Sequence, residues 1–326
     1  MDRAEQLQRW LETALESRDF SITPASGDAS FRRYFRVRRG GGPSLIVMDA
    51  PPEKENSQPF VHVARIFADA GVHVPVIHAQ ASDQGFVLLS DLGDTTYLDA
   101  LDSDSAPRLY RDAFDALLQI QLASRPGILP DYDRALLEFE LRLFPDWYLE
   151  KQLGCALGTS QRAALEEIFS RLLANALAQP QVYVHRDYHS RNLMVTAPNP
   201  GILDFQDAVC GPITYDLVSL LRDAYIGWEE EQVVEWATRY WEAARKARLP
   251  VRDDFAEFYR DFEWMGAQRH LKVLGIFARL CHRDGKDGYL KDQPLVMRYL
   301  LRACERYDEL APLARLLDAL PIPSKS

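Results

Sequence analysis

Apolar and polar positions follow a helical period at the start of the chain and a strand-like texture soon after. Leu7, Trp10, Leu11, Ala14 and Leu15 recur at helical spacing with charges between them, which predicts an opening helix. The small residues Ser26-Gly27-Asp28-Ala29-Ser30 then predict a loop leading into Phe31-Arg-Arg-Tyr-Phe-Arg-Val-Arg38, whose aromatic, β-branched and basic residues predict a strand. Gly40-Gly41-Gly42-Pro43 turns the chain, and Ser44-Leu-Ile-Val-Met-Asp49 returns as a second strand, a hairpin. A helix is expected around Phe60–Ala70, ended by Gly71, with further strands at Val74–Ile77 and Phe86–Ser90.

After Asp91-Leu92-Gly93 the texture becomes helical. Helices are expected around Arg108–Leu122, Arg134–Lys151 and Gln161–Leu177, and from Tyr215 onward, where Phe255, Phe258, Tyr259 and Phe262 form an apolar stripe. Small strands interrupt at Leu193–Val195 and Gly201–Asp204. A sheet-rich stretch, 1–92, followed by a helical remainder, 93–326, is a two-lobed α+β plan.

Composition narrows the class. Hydrophobic residues make up 47% and charged residues 26% of the 326, proportions that fill a folded core and exclude disorder. The net charge of −10 argues against broad nucleic-acid binding. Cys155, Cys210, Cys281 and Cys304 form no C-x-x-C pair, so free thiols in a reducing cytosol are expected rather than a zinc clip or redox pair. No apolar run reaches membrane-spanning length, and the first residues show no secretory pattern, so the expected location is cytoplasmic.

The candidate chemistry lies in His185-Arg-Asp-Tyr-His-Ser-Arg-Asn192 and in Ile202-Leu-Asp204-Phe205. Asn192 follows Asp187 by five residues and Asp204 follows Asn192 by twelve. Phosphoryl transfer needs a carboxylate to take or orient the hydroxyl proton and hard oxygen ligands to hold Mg²⁺ against phosphates. Asp187 can be the first; Asn192 and Asp204 can be the second. A second His-Arg-Asp, at 282–284, has Tyr289 where the asparagine should be, and reads as a charged surface turn around Gly285 and Gly288.

With Gly211 and Asp216 completing the pattern, the chain resembles the aminoglycoside phosphotransferase family, small-molecule relatives of the protein kinases, from about Ser26 onward. The resemblance implies a two-lobed protein-kinase-like fold, with 1–92 as nucleotide lobe and 93–326 as catalytic and substrate lobe. It implies ATP and Mg²⁺, Asp187 as catalytic base, Asn192 and Asp204 as metal ligands, and Asp216 as a brace. His185 is expected as a loop brace rather than a base, and Arg186 either to neutralise charge near Asp187 or to hold the loop. Gly27, Asp28 and Ser30 would cover phosphates; Ser90 and Leu92 would offer backbone groups to adenine. No G-x-x-x-x-G-K-[ST] is present, which excludes P-loop chemistry.

Within the family, Gly27–Arg36, Val47–Pro52 and Leu271–Arg279 resemble a branch that phosphorylates the C1 hydroxyl of N-acetylmuramic acid or N-acetylglucosamine in cell-wall recycling. The acceptor would then be a small sugar. Muramic acid carries a carboxylate that suits arginine, and Arg142, Trp147, Arg222 and Arg269 are the candidate acceptor residues, with Trp264 also in the helical part.

One departure stands out. Met48 occupies the strand position where kinase-like folds place a lysine, and the following helix lacks its glutamate. Arg32 or Arg33 is the expected substitute cation, only one of them pointing toward the nucleotide, with Lys54 as second choice. Two further readings stay open at this point: a kinase for another small hydroxylated molecule, such as an aminoglycoside or choline-like alcohol, and a nucleotide-binding scaffold without turnover.

Overall fold

The Asp2 carboxylate accepts the Ala4 amide at 2.8 Å and so starts the first helix, satisfying one of the donors a helix N-terminus leaves open. A computed structural model describes residues 2–27 and 31–320. In chain order the first elements are α1 (Arg3–Ala14), β1 (Phe20–Gly27), β2 (Arg33–Arg39), β3 (Leu45–Asp49), α2 (Gln58–Asp69), β4 (Ile77–Ala81), β5 (Phe86–Ser90), α3 (Tyr97–Ala100), α4 (Ala106–Leu122) and α5 (Arg134–Leu143). Then come α6 (Thr159–Ala178), β6 (Gln181–Val184), β7 (Leu193–Met194), β8 (Gly201–Ile202), β9 (Val209–Pro212), α7 (Tyr215–Leu221), α8 (Glu230–Lys246), α9 (Phe255–Asp284), α10 (Gln293–Arg306) and α11 (Ala311–Asp318).

The chain divides into two compact units. One comprises Met1–Asp102 with Asn192–Asp207, the other Ser103–Arg191 with Ala208–Ser326. In the first, an antiparallel sheet runs in the order β1-β2-β3-β5-β4. Leu7 and Leu11 of α1 pack on the face formed by Val37, Leu45, Val47, Phe86 and Leu88, which is why the helix shows an apolar stripe, while β3 and β5, buried on both faces, are continuous apolar runs. Phe60 and Phe67 of α2 pack against Phe205, with ring centroids 4.9 and 5.9 Å apart, tying the Asp204 segment to this unit. The short β7–β8 ladder pairs Leu193 with Ile202.

In the second unit β6 pairs with β9, and α9 is buried along most of its length, packing on α5, α6, α7 and α10. Gly275 permits the closest approach, since a Cβ there would meet the backbone of Leu143 at 2.4 Å.

Several expectations need correction. The loop expected over 26–30 is in part strand, because β1 extends through Ser26 and Gly27; residues 28–30 lie outside the described residues. The strand expected at 74–77 starts at Ile77, after Pro75, which has no amide to give to a ladder. The helix expected over 134–151 is α-helical only to Leu143 and continues as a π-helix, Phe144–Gln152, where Pro145 removes a hydrogen-bond donor. The strand expected over 201–204 ends at Ile202. The second His-Arg-Asp is the last turn of α9, not a free turn; Gly285 caps it at φ +67° and Arg283 pairs with Asp284 at 2.7 Å.

Candidate active site

The His185–Asn192 motif is divided between the units: His185–Arg191 belong to the second, Asn192 to the first. Each part is built by local hydrogen bonding.

In the second unit, β6 delivers the chain to His185, which is buried. Asp216, in the first turn of α7, accepts the amides of His185 at 2.6 Å and Arg186 at 3.0 Å. The His185 Nδ1 accepts the Asp187 amide at 3.2 Å, so this histidine acts as a loop brace. Arg186 adopts φ +76°, a left-handed conformation that is uncommon for a residue with a side chain. Its guanidinium pairs with buried Glu140, which also holds Lys272 at 2.8 Å and accepts from the Tyr132 hydroxyl. Asp223 accepts the amides of Ser190 at 2.9 Å and Tyr225 at 3.0 Å and fixes the end of the loop.

The electrostatics follow from this cluster. Burial alone would raise Asp187, but the charges of Lys272, His189, Arg269 and Arg186 hold it below its ordinary value, ionised and able to accept a proton in transit. Burial lowers His189. Burial pushes Asp216 up to about 7, against two backbone amides that favour its charged form.

In the first unit, the Asn192 carboxamide lies 3.4 Å from the Asp204 carboxylate, and the Asn192 carbonyl accepts the Leu203 amide at 2.9 Å. Asp204 takes φ +63° and its carboxylate also accepts from Gln206 at 2.9 Å. Here the Asn192 Nδ2 donates to that carboxylate; with the amide turned over, its oxygen and the Asp204 carboxylate are hard donors of the kind Mg²⁺ uses together with phosphate oxygens, so these residue types fit that ion. Arg32, nearly buried, lies 3.8 Å from Asp204. Arg33 instead pairs with Asp49, which also binds Arg3 at 2.6 Å. Met48 is fully buried in β3, opposite Tyr34 and Val87.

Gly27 pairs with Arg33 at the end of β1; Asp28 and Ser30 lie outside the described residues. Ser90 ends β5, where its hydroxyl accepts the Val76 amide at 2.8 Å, and Leu92 is buried just beyond. Between them Asp91 accepts from Arg36 at 2.6 Å, Ser44 at 2.6 Å and the Gly93 amide at 3.0 Å. Burial would raise Asp91; these bonds keep it below its ordinary value.

The expected acceptor residues do not share one environment. Arg142 on α5 binds Glu166 and Glu138. Trp147 is half-buried on the π-helix. Arg222 ends α7, bound to Glu230 at 2.7 and 2.8 Å, over the Tyr299 ring. Arg269 is buried with its Nη1 unpartnered, and its charge is felt by Asp187. Sequence reasoning passed over Glu140 and Tyr225, whose roles depend on contacts across the fold, and over the position of Lys272, visible beforehand only as part of a stretch of similar wording.

All four cysteines are free thiols. Among the described residues no helix is long and apolar enough to cross a membrane.

The Phosphotransferase enzyme family matches residues 21–259. The N-acetylmuramate/N-acetylglucosamine kinase of Neisseria meningitidis serogroup B is 52% identical, covering 98% of this chain and 96% of that protein. The protein of the same name in Pseudomonas aeruginosa is 51% identical, covering 98% and 97%. The crystal structure of aminoglycoside phosphotransferase APH(2'')-Ib, ADP-bound, matches 90% of this chain and 97% of that one at 13% identity and a TM-score of 0.60, a likeness of fold and specifically of the protein-kinase-like fold. The family match spans well over half of the sequence and carries the Asp187, Asn192 and Asp204 positions within it, so the chain belongs to the phosphotransferase enzyme family.

Proposed function

We propose that this protein is an ATP-dependent amino-sugar kinase that works in the cytoplasm and phosphorylates the anomeric C1 hydroxyl of N-acetylmuramic acid or N-acetylglucosamine. The observation that carries the reading is the identity of about one half, over nearly the whole of both chains, to relatives named as kinases of those two sugars.

In this reading residues 1–92 form the nucleotide lobe and 93–326 the catalytic and acceptor lobe. Gly27, Asp28, Ser30, Arg32 and Arg33 serve the phosphates, and Ser90 and Leu92 the adenine. Asn192 and Asp204 would hold Mg²⁺, which when bound neutralises charge on the phosphates. Asp187 accepts the proton of the C1 hydroxyl as its oxygen bonds to the γ-phosphorus and the bond to ADP breaks. The anomeric hydroxyl is more acidic than an ordinary alcohol, so a carboxylate of depressed basicity suffices. Of the acceptor candidates Arg142, Trp147, Arg222 and Arg269, the last has the strongest support, because Arg142 and Arg222 already face glutamates.

A coupled assay of ADP release over amino sugars, aminoglycosides and choline tests the acceptor class, and phosphorus NMR of the product tests the C1 position. Turnover is expected with the amino sugars and should fall by about three orders of magnitude or more in Asp187→Asn. Turnover confined to another acceptor, a phosphate on another hydroxyl, or an undiminished Asp187→Asn variant would overturn the reading.

A further inference from the structure

Arg269 is only 4% exposed, and among the described residues no hydrogen bond or ion pair meets its guanidinium; its Nη1 is enclosed without a partner. The neighbouring cationic and anionic groups are engaged. Lys272 binds Glu140 and the Tyr215 hydroxyl at 2.8 Å each, and Asp216 is occupied by two backbone amides. An enclosed guanidinium nitrogen left without an acceptor is costly, and such a site calls for an anion from outside the chain.

The surroundings are suited to one. Tyr225 sits under Arg191, whose guanidinium carbon lies 3.7 Å from the ring centroid, and His189 stands edge-on to the same ring at 5.4 Å with its Nδ1 enclosed and unpartnered. Asp223, through the amides of Ser190 and Tyr225, ties these two segments together. Arg191 and His189 thus gather around one ring, and the charge of the enclosed Arg269 reaches Tyr225, His189 and Asp187 alike.

Resting on the kinase reading above, we infer that Arg269 receives the carboxylate of an acidic amino sugar and makes the site favour that acceptor over a neutral one. Guanidinium and carboxylate match in charge and in planar geometry. N-acetylmuramic acid carries such a group and N-acetylglucosamine does not.

The test is the ratio of kcat/KM for N-acetylmuramic acid to that for N-acetylglucosamine. Arg269→Met should lower it by about tenfold or more, through KM for the acid, and Arg269→Lys should recover part of the loss. Equal losses on both sugars, or an unchanged ratio, overturn the inference. The unaltered protein gives a second arm that needs no variant: the methyl ester of N-acetylmuramic acid should show a KM raised by about tenfold over the free acid, and equal values overturn the inference. Turnover of both sugars without discrimination defeats this inference alone; turnover of neither by the unaltered protein defeats the kinase reading, and this inference with it.

Discussion

The guanidinium of Arg32 lies 3.8 Å from the carboxylate of Asp204. Its neighbour Arg33 engages Asp49 instead, as expected of adjacent residues on extended chain, whose side chains face opposite ways. With Met48 buried in β3, the proposed function assigns Arg32 to a nucleotide phosphate next to the proposed metal ligand. Arg32→Ala should therefore raise the KM for ATP by about tenfold or more, with a clearly smaller rise for Arg33→Ala. Initial rates at varied ATP check this. Equal rises in both variants would remove the distinction between them.

Asp216 governs the geometry of the loop from beneath. Both of its oxygens accept backbone amides, and an asparagine side chain in its place would turn an amino group toward one of those N–H donors. Asp216→Asn should cost about 1–3 kcal/mol of stability. It should also lower kcat by about tenfold, with a smaller effect on the KM for ATP, since Asp187 is displaced rather than lost. Thermal unfolding and steady-state kinetics on one preparation check both parts. A variant with full kcat would show that the loop holds its shape without this brace.

Glu140 is 2% exposed and faces both Lys272 and Arg186. Burial would raise its pKa, but Lys272 and then Arg186 hold it below the ordinary value of 4.5. The folded state thus binds this proton more weakly than the unfolded chain. The stabilisation is complete above about 4.5 and is lost as the pH falls through the lower folded value. Glu140→Gln leaves two buried cations short of a counter-charge and should cost about 3–5 kcal/mol at neutral pH. Its melting temperature should also decline less steeply than the parent's as the pH drops below that point. Parallel acid limbs in the two proteins would assign the acid sensitivity to other carboxylates.

Periodicity exposed the opening helix, which buries one apolar face against the sheet, and the apolar stripe at the start of α9, although that helix is buried on every side from Asp261 to Gly275. The Asp187, Asn192 and Asp204 spacing was visible because the three polar residues lie in one short stretch of sequence. Strand β1 was missed: Thr23-Pro24-Ala25-Ser26 lacks the β-branched texture of a strand, and its register shifts between Pro24 and Ser26. The β6–β9 pair was missed because four-residue strands, distant in sequence, declare themselves only when paired. The arginines show the same limit at the site. Arg142, Arg222 and Arg269 are indistinguishable as sequence on helical segments. Only their partners separate two arginines held by glutamates from one enclosed with its Nη1 unpartnered.

Two glycines on α9 set packing against helix propensity. Replacing a glycine inside a helix by alanine ordinarily stabilises by about 1 kcal/mol. At Gly266 the nearest atom to an added Cβ is the His270 Cε1 at 3.5 Å, an ordinary contact, so Gly266→Ala should gain up to about that amount. At Gly275 the same atom would lie 2.4 Å from the carbonyl carbon and oxygen of Leu143 and 2.6 Å from its Cβ. Backbone at the junction of α5 with the π-helix cannot yield as a side-chain tip can. Overpacking of about 1–3 kcal/mol or more therefore outweighs the propensity gain, and Gly275→Ala should be net destabilising. Urea unfolding of the two variants beside the parent checks the opposite signs. A stabilised Gly275→Ala protein would mean that α9 and Leu143 can separate without loss, and that the close crossing does not hold the second unit together.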